Sequence, residues 1–110
     1  MASNYSFKYS ENAKKDLFNI FDYIAIDLSN IKAAENLFAN IETAIDDLCT
    51  FPKSAPLMNN EYLSKKLIRK KVVDNYLILY YPDEINRVIL IVRVMYSKMD
   101  LNEIAKMIDI

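Results

Sequence analysis

Apolar residues recur along this chain with two different periods, and the change of period divides it in half. Residues 5–10, "YSFKYS", alternate, which predicts a short strand with Tyr5, Phe7 and Tyr9 on one face. From Glu11 to Leu28 the period lengthens. Leu17, Ile20, Phe21, Ile24 and Leu28 are spaced by three and four, forming one stripe along a helix with Lys14, Lys15, Asp22 and Asp27 outside it. Ser10 and Asn12 are the candidate N-caps. "DLSN", 27–30, interrupts the pattern. Ala34, Leu37, Phe38, Ile41, Ala44, Ile45 and Leu48 then make a second stripe, so two amphipathic helices joined by a short turn predict an antiparallel hairpin. Beyond the proline-marked loop "FPKSAPLMNN", Phe51 to Asn60, the period falls to two. Leu67 to Val73, Tyr76 to Tyr81 and Arg87 to Val94 read as strands, and connections as short as "VDN" and "PDEIN" make them antiparallel neighbours. "DLNEIAKMIDI" closes the chain as a short C-terminal helix, with Asp100 as N-cap and Glu103 as its capping-box partner.

The expected fold is α+β: strand, helical hairpin, three-stranded antiparallel meander, short helix, in a single domain over residues 1–110. The hairpin is the available cover for the sheet. Both long helices are therefore expected on one face of an antiparallel sheet, with the other face partly open and carrying the function. In the last strand Val88, Leu90, Val92, Val94 and Tyr96 share one side, expected to face the helices. Arg87, Ile89, Ile91, Arg93 and Met95 share the other, which places Arg93 on the open side.

Composition narrows the chemistry. With 53% hydrophobic and 26% charged residues, the chain has an ordinary globular balance. The absence of His and the lone Cys49 exclude a His-based triad, a disulfide and an all-cysteine metal site, so no metal and no cofactor is expected. Phosphate-cradling and dinucleotide-binding turns need glycine, and the chain contains none. No window is long and apolar enough to span a membrane, and the start, "MASNYSFKYSENAKKD", lacks a signal peptide's apolar core; the expected location is cytoplasmic. A net charge of −1 gives no global attraction for nucleic acid. It does contain a local one: five of the seven residues in "KKLIRKK", 65–71, are basic. That run is either an anion site or a set of edge lysines that block sheet aggregation, and its inward face is ambiguous. Tyr76, Tyr80 and Tyr81 either stack on bases or pack across strands. Cys49 reads as a small core residue. Tyr96, Lys98 and Asp100 follow the last strand beside Arg93, a set that suits phosphate binding and proton transfer in RNA cleavage. It equally suits a strand end, a solvated lysine and a helix cap.

"RKKVVDNYLILYYPDEINRVILIVRVMYSKMDL", 69–101, resembles the C-terminal half of the RelE/ParE superfamily of toxins from type II toxin–antitoxin systems. The matching features are Arg69, Tyr76 with Tyr80, Asp83 with Glu84, Arg93, and the closing "VMYSKMD". "YSFKYSENAKKDLFNIFDYI" is similar to the family's opening strand and first helix, and "FPKSAPLM" to its loop after the hairpin. "YLILYY" resembles the ParE-like branch, because RNA-cleaving relatives commonly carry arginine where Leu77 stands. The resemblance implies a growth-inhibiting toxin that poisons DNA gyrase and is neutralised by a cognate antitoxin in a hetero-oligomer, with Arg69, Arg93, Tyr96 and Lys98 bearing toxicity. The RelE-like alternative is a ribosome-dependent mRNA endonuclease, with Arg69, Lys70 or Lys71 holding phosphate and Tyr96 or Lys98 moving protons. A third implied reading is a family member that binds its antitoxin without being toxic.

Overall fold

The computed structural model describes residues 5–98, so the expected C-terminal helix and its Asp100 cap lie outside the described residues. Strand β1 (Ser6–Tyr9) leads into helix α1 (Glu11–Asp22), a π-helical turn (Tyr23–Asp27) and helix α2 (Ile31–Thr50). A single helical turn, α3 (Glu61–Lys65), precedes strands β2 (Arg69–Val73), β3 (Tyr76–Asp83) and β4 (Val88–Tyr96). Among the described residues no helix is long and apolar enough to cross a membrane.

Helix boundaries follow capping chemistry. Ser10 caps α1, its hydroxyl accepting from Ala13 N at 3.0 Å, and Asn30 caps α2 by accepting from Ala33 N. The first helix stops earlier than its stripe suggested. Its last turn widens to a π-turn, in which Leu28 N donates to Tyr23 O, and Ser29 at φ 52° turns the chain back. Phe21 and Phe38 meet edge-to-face across the hairpin at 5.3 Å.

The sheet order is β1-β4-β3-β2. β2, β3 and β4 form the expected antiparallel meander, but β1 runs parallel to β4, pairing Ser6 with Val88 through Tyr9 with Ile91. The sheet is therefore mixed rather than antiparallel. The helical hairpin carries the chain from β1 across the sheet to β2 at its far edge, and the meander then returns β4 to lie parallel beside β1.

A second correction concerns the faces of β4. Ile89, Ile91 and Val94 join α1 and α2 residues in the main core, whereas Leu90, Val92 and Met95 pack on the opposite side. The expected inward set was Val88, Leu90, Val92, Val94 and Tyr96. The register shows why parity failed: Leu79 pairs with Arg93 but Tyr80 with Ile91, so Val92 is an extra residue and a β-bulge switches the inward parity from odd to even. Helix α1 satisfies the backbone there. Ser10 Oγ donates to Val92 O at 2.7 Å, and the Asp16 carboxylate accepts from Val94 N at 3.0 Å.

The second face is also closed, contrary to the open side expected. Met58, Leu63, Ile68, Leu77 and Leu79 cover it with Val92 and Met95. Helix α3 is the part that sequence reading missed, and its C-terminal cap also shortens the supposed 67–73 strand, since Leu67 and Ile68 close the helical turn and β2 begins at Arg69. Ile68 N donates to Leu63 O and Leu67 N to Ser64 O, a Schellman arrangement sealed by Leu63 and Ile68, both fully buried. Its left-handed position, where glycine is usual, holds Leu67 at φ 61°, 54% exposed. A left-handed non-glycine residue costs about 1 kcal/mol. Leu67→Gly is expected to raise stability by about 0.5 kcal/mol, after the unfolded-state entropy of glycine is subtracted; equilibrium urea unfolding measures it, and a loss of stability would mean that Leu67 packs more than its exposure indicates.

The described core contains Cys49, 4% exposed near the end of α2, in the small-residue role expected of it. Tyr80 is fully buried with its hydroxyl donating to Pro52 O at 2.8 Å, and Tyr81 packs on the second cluster. Tyr80 and Tyr81 thus serve packing.

Candidate functional site

A groove of about 720 Å³ opens where α1 and the π-turn pass over the end of β4. Its wall on the helix side is Asp16, Asn19, Ile20 and Tyr23; on the sheet side it is Tyr76 from β3 and Arg93 to Tyr96 from β4. The even parity established by the bulge brings Val94 and Tyr96 under α1. Tyr96 is 44% exposed and packs edge-to-face on its cross-strand neighbour Tyr76, ring centroids 5.9 Å apart. Tyr23, 52% exposed, completes an aromatic rim.

Arg93 is not the free cation expected on an open face. Its Nε and Nη2 donate to the two Asp16 carboxylate oxygens at 2.7 and 2.8 Å, with both side chains largely buried at 16% and 13% exposure. The Asp16 hydrogen bonds raise the Arg93 pKa, against the opposing effect of burial, and keep it charged. The pair is neutral as a unit, so the groove carries aromatic and aliphatic surface around a charge-compensated centre. Burial, followed by the neighbouring Tyr23 and Tyr96 hydroxyls, pushes the Tyr76 phenol above its usual pKa, which makes a tyrosinate base at that position unfavourable.

The other sequence candidates sit elsewhere. Arg69 pairs with Tyr80 and Tyr96 with Tyr76, so they flank β3 at positions four residues apart, roughly 13 Å along the strand. The Arg69 guanidinium is spent on the proline loop, donating to Ala55 O at 2.7 Å and Lys53 O at 3.4 Å. Lys70 and Lys71 lie next on β2, opposite Leu79 and Ile78, on opposite faces. Ile68 and Lys70 share the α3 side, and Arg69 and Lys71 the helical-hairpin side, which resolves the orientation of the basic run. Lys98 is exposed just beyond the groove. Of the four residues expected to bear toxicity, the structure brings Arg93 and Tyr96 together and leaves Arg69 apart. Among the described residues no cluster of three His, Cys, Asp or Glu is arranged to hold a metal.

Asp16, Tyr23 and the groove role of Tyr76 were missed. For Asp16 a signal existed: it lies three residues after Ala13 and four before Ile20, on the buried face of α1. A carboxylate there needs a cation, and Arg93 is the only cation within the apolar run of β4.

Comparison with known proteins places this architecture. A search of curated proteins found no match. Among solved structures, the toxin–antitoxin complex RelBE2 from Mycobacterium tuberculosis has a similar chain, with a TM-score of 0.59 and 22% identity over 84% of this chain and 96% of that one. The chromosomal ParDE toxin–antitoxin system from P. aeruginosa gives a TM-score of 0.68 and 16% identity over 88% of this chain and 100% of that one. At these identities the two share the fold. The family described as the ParE toxin of the type II toxin–antitoxin system parDE matches residues 7–101, from the middle of β1 to beyond the end of β4. With the match running through every element that builds the groove, the chain belongs to the ParE toxin family of type II toxin–antitoxin systems.

Proposed function

We propose that this protein is the toxin of a type II pair, that it inhibits growth by binding and poisoning DNA gyrase, and that a cognate antitoxin neutralises it. The observation that carries the choice of a protein target is the commitment of the two arginines and the placement of the lysines. RNA cleavage requires a cation beside the proton-transfer group to hold the scissile phosphate, whereas Arg93 is tied to Asp16 and Arg69 to the Ala55 carbonyl, and Lys70 and Lys71 lie on β2, across β3 from Tyr96. The aromatic groove that remains suits a protein surface, where tyrosines serve as anchors. The antitoxin reading rests on a different surface: Phe18, Ile26, Leu28 and Ile31 of the helical hairpin are each more than half exposed, an apolar patch that a segment folding on binding would cover. The two structural relatives are toxin–antitoxin systems, which supports a hetero-oligomer here too.

The test is a supercoiling and cleavage assay with purified chain and gyrase. The expected result is blocked supercoiling with cleaved DNA trapped on the enzyme. Tyr96→Ala is expected to weaken inhibition about tenfold, an ordinary loss for an aromatic anchor, while costing only about 1 kcal/mol of stability through the lost Tyr76 contact. Unaffected gyrase together with cut messages on translating ribosomes would establish the RelE-like endonuclease instead. Growth without arrest on induction, with antitoxin still bound, would establish a non-toxic member.

A further inference from the structure

The structure splits "KKLIRKK" in an informative way. Arg69 and Lys71 turn toward the helical hairpin, and the Schellman cap of α3 places Lys65, Lys66 and Leu67 on the other side of the molecule, with Lys70 on the same face of β2. Tyr81 stands diagonal to Lys70 across β3. Two shallow clefts of about 320 and 270 Å³ share Leu67 and Tyr81, and Lys65 and Lys66 line the first. Tyr62, 48% exposed, has Lys66 Nζ 5.3 Å from its ring centroid. Among the described residues, Lys65, Lys66 and Lys70 lie near one carboxylate at the first cleft, Glu61, 3.3 Å from Lys65, while the second cleft adds Asp83, Glu84 and the Lys53 paired with Glu84. At the first cleft the lysines therefore outnumber the acids, in a protein whose overall charge is −1.

We infer that this face is a second protein-binding surface, and that it takes an acidic peptide segment carrying an aliphatic anchor. Leu67 indicates the anchor: it holds the left-handed position that glycine would occupy at less cost, yet its side chain is more than half outside the fold. Core packing does not account for it. Interleaved Tyr62 and Leu67 offer apolar contact that a phosphate backbone cannot use, and a chain of net charge −1 gives a polyanion no long-range attraction, so the surface fits a peptide better than nucleic acid. Strand addition at the neighbouring edge of β2 is already used. Leu57 bridges Arg69, and Lys70 N donates to Pro56 O, so the segment lies across the face between the lysines. This surface is on the side of the sheet away from the groove, and its test does not depend on the gyrase reading.

The experiment is fluorescence anisotropy on the full chain with three labelled probes: a synthetic peptide of glutamate, serine and leucine; the same peptide with lysine for glutamate; and a DNA duplex. The acidic peptide is expected to bind best, more weakly as salt is raised. Lys65→Gln with Lys66→Gln and Lys70→Gln, and separately Leu67→Gly, are each expected to weaken it about tenfold. Leu67→Gly does so without lowering the melting temperature, which separates lost contact from lost fold. Equal binding of the lysine peptide, tighter binding of the duplex, no binding of the acidic peptide, or indifference to either variant would overturn the assignment.

Discussion

Asp16→Ala will lower the unfolding free energy by about 3 kcal/mol, the most damaging of the substitutions considered for this chain. Asp16 accepts three hydrogen bonds, from Arg93 Nε, Arg93 Nη2 and Val94 N, and its removal leaves a largely buried guanidinium without its counter-ion and a backbone N–H at the bulge without its acceptor. In a domain of this size that corresponds to a fall in melting temperature of roughly 12 °C. Equilibrium urea unfolding and thermal melting measure it. The double variant Asp16→Leu with Arg93→Met should recover much of the loss, because buried apolar residues can replace an ion pair that a single deletion leaves half-solvated. A loss below about 1 kcal/mol for Asp16→Ala would mean that water takes over the carboxylate's role.

Arg69→Ala will cost about 2 kcal/mol, the range for hydrogen bonds made by a charged donor. Its guanidinium and the Tyr80 hydroxyl hold the same stretch of chain, reaching Lys53 O, Ala55 O and Pro52 O respectively. The loop from Phe51 to Asn60 should accordingly become more sensitive to limited proteolysis in Arg69→Ala. Tyr80→Phe should share the effect at about 1 kcal/mol, and Lys98→Ala, at an exposed position, should not change stability measurably. If Arg69→Ala keeps its melting temperature and loses toxicity alone, Arg69 contacts the target directly. If both fall together, the loss of toxicity follows from the loosened loop.

Much of the architecture was legible in the residues because it rests on period. The stripe at Leu37, Ile41, Ile45 and Leu48 buries where its spacing says it should and Leu17, Ile20 and Ile24 pack against the same core, although Leu28 at the end of the first stripe is exposed; the short turns after Val73 and Asp83 leave the strands no pairing but an antiparallel one. What could not be read was carried by features shorter than a period. Helix α3 is five residues long, too short for a stripe, and its cap uses Leu67 where glycine would have announced a stop. The bulge adds one residue, Val92, to a run in which both faces are apolar, so no polar position marks the slip. Arg93 sits beside that slip, and its side chain reaches Asp16 of α1 instead of standing on the supposed open surface. For the candidate site, Tyr96 and Arg93, grouped from their place at the strand end, do line one groove, whereas Arg69 was grouped with them by sequence and is separated from them by the register of β3.

Cys49 gives this fold an internal reporter. The chain's one thiol lies within the main core at 4% exposure, close to Ala44, Ile45 and Leu48 on the same helix. A thiol reagent too bulky to penetrate a close-packed interior can reach it only when α2 lifts from the sheet, so its labelling rate at low protein concentration counts openings of the native state directly. Without any added probe, the same measurement would tell whether a bound antitoxin or target slows that opening.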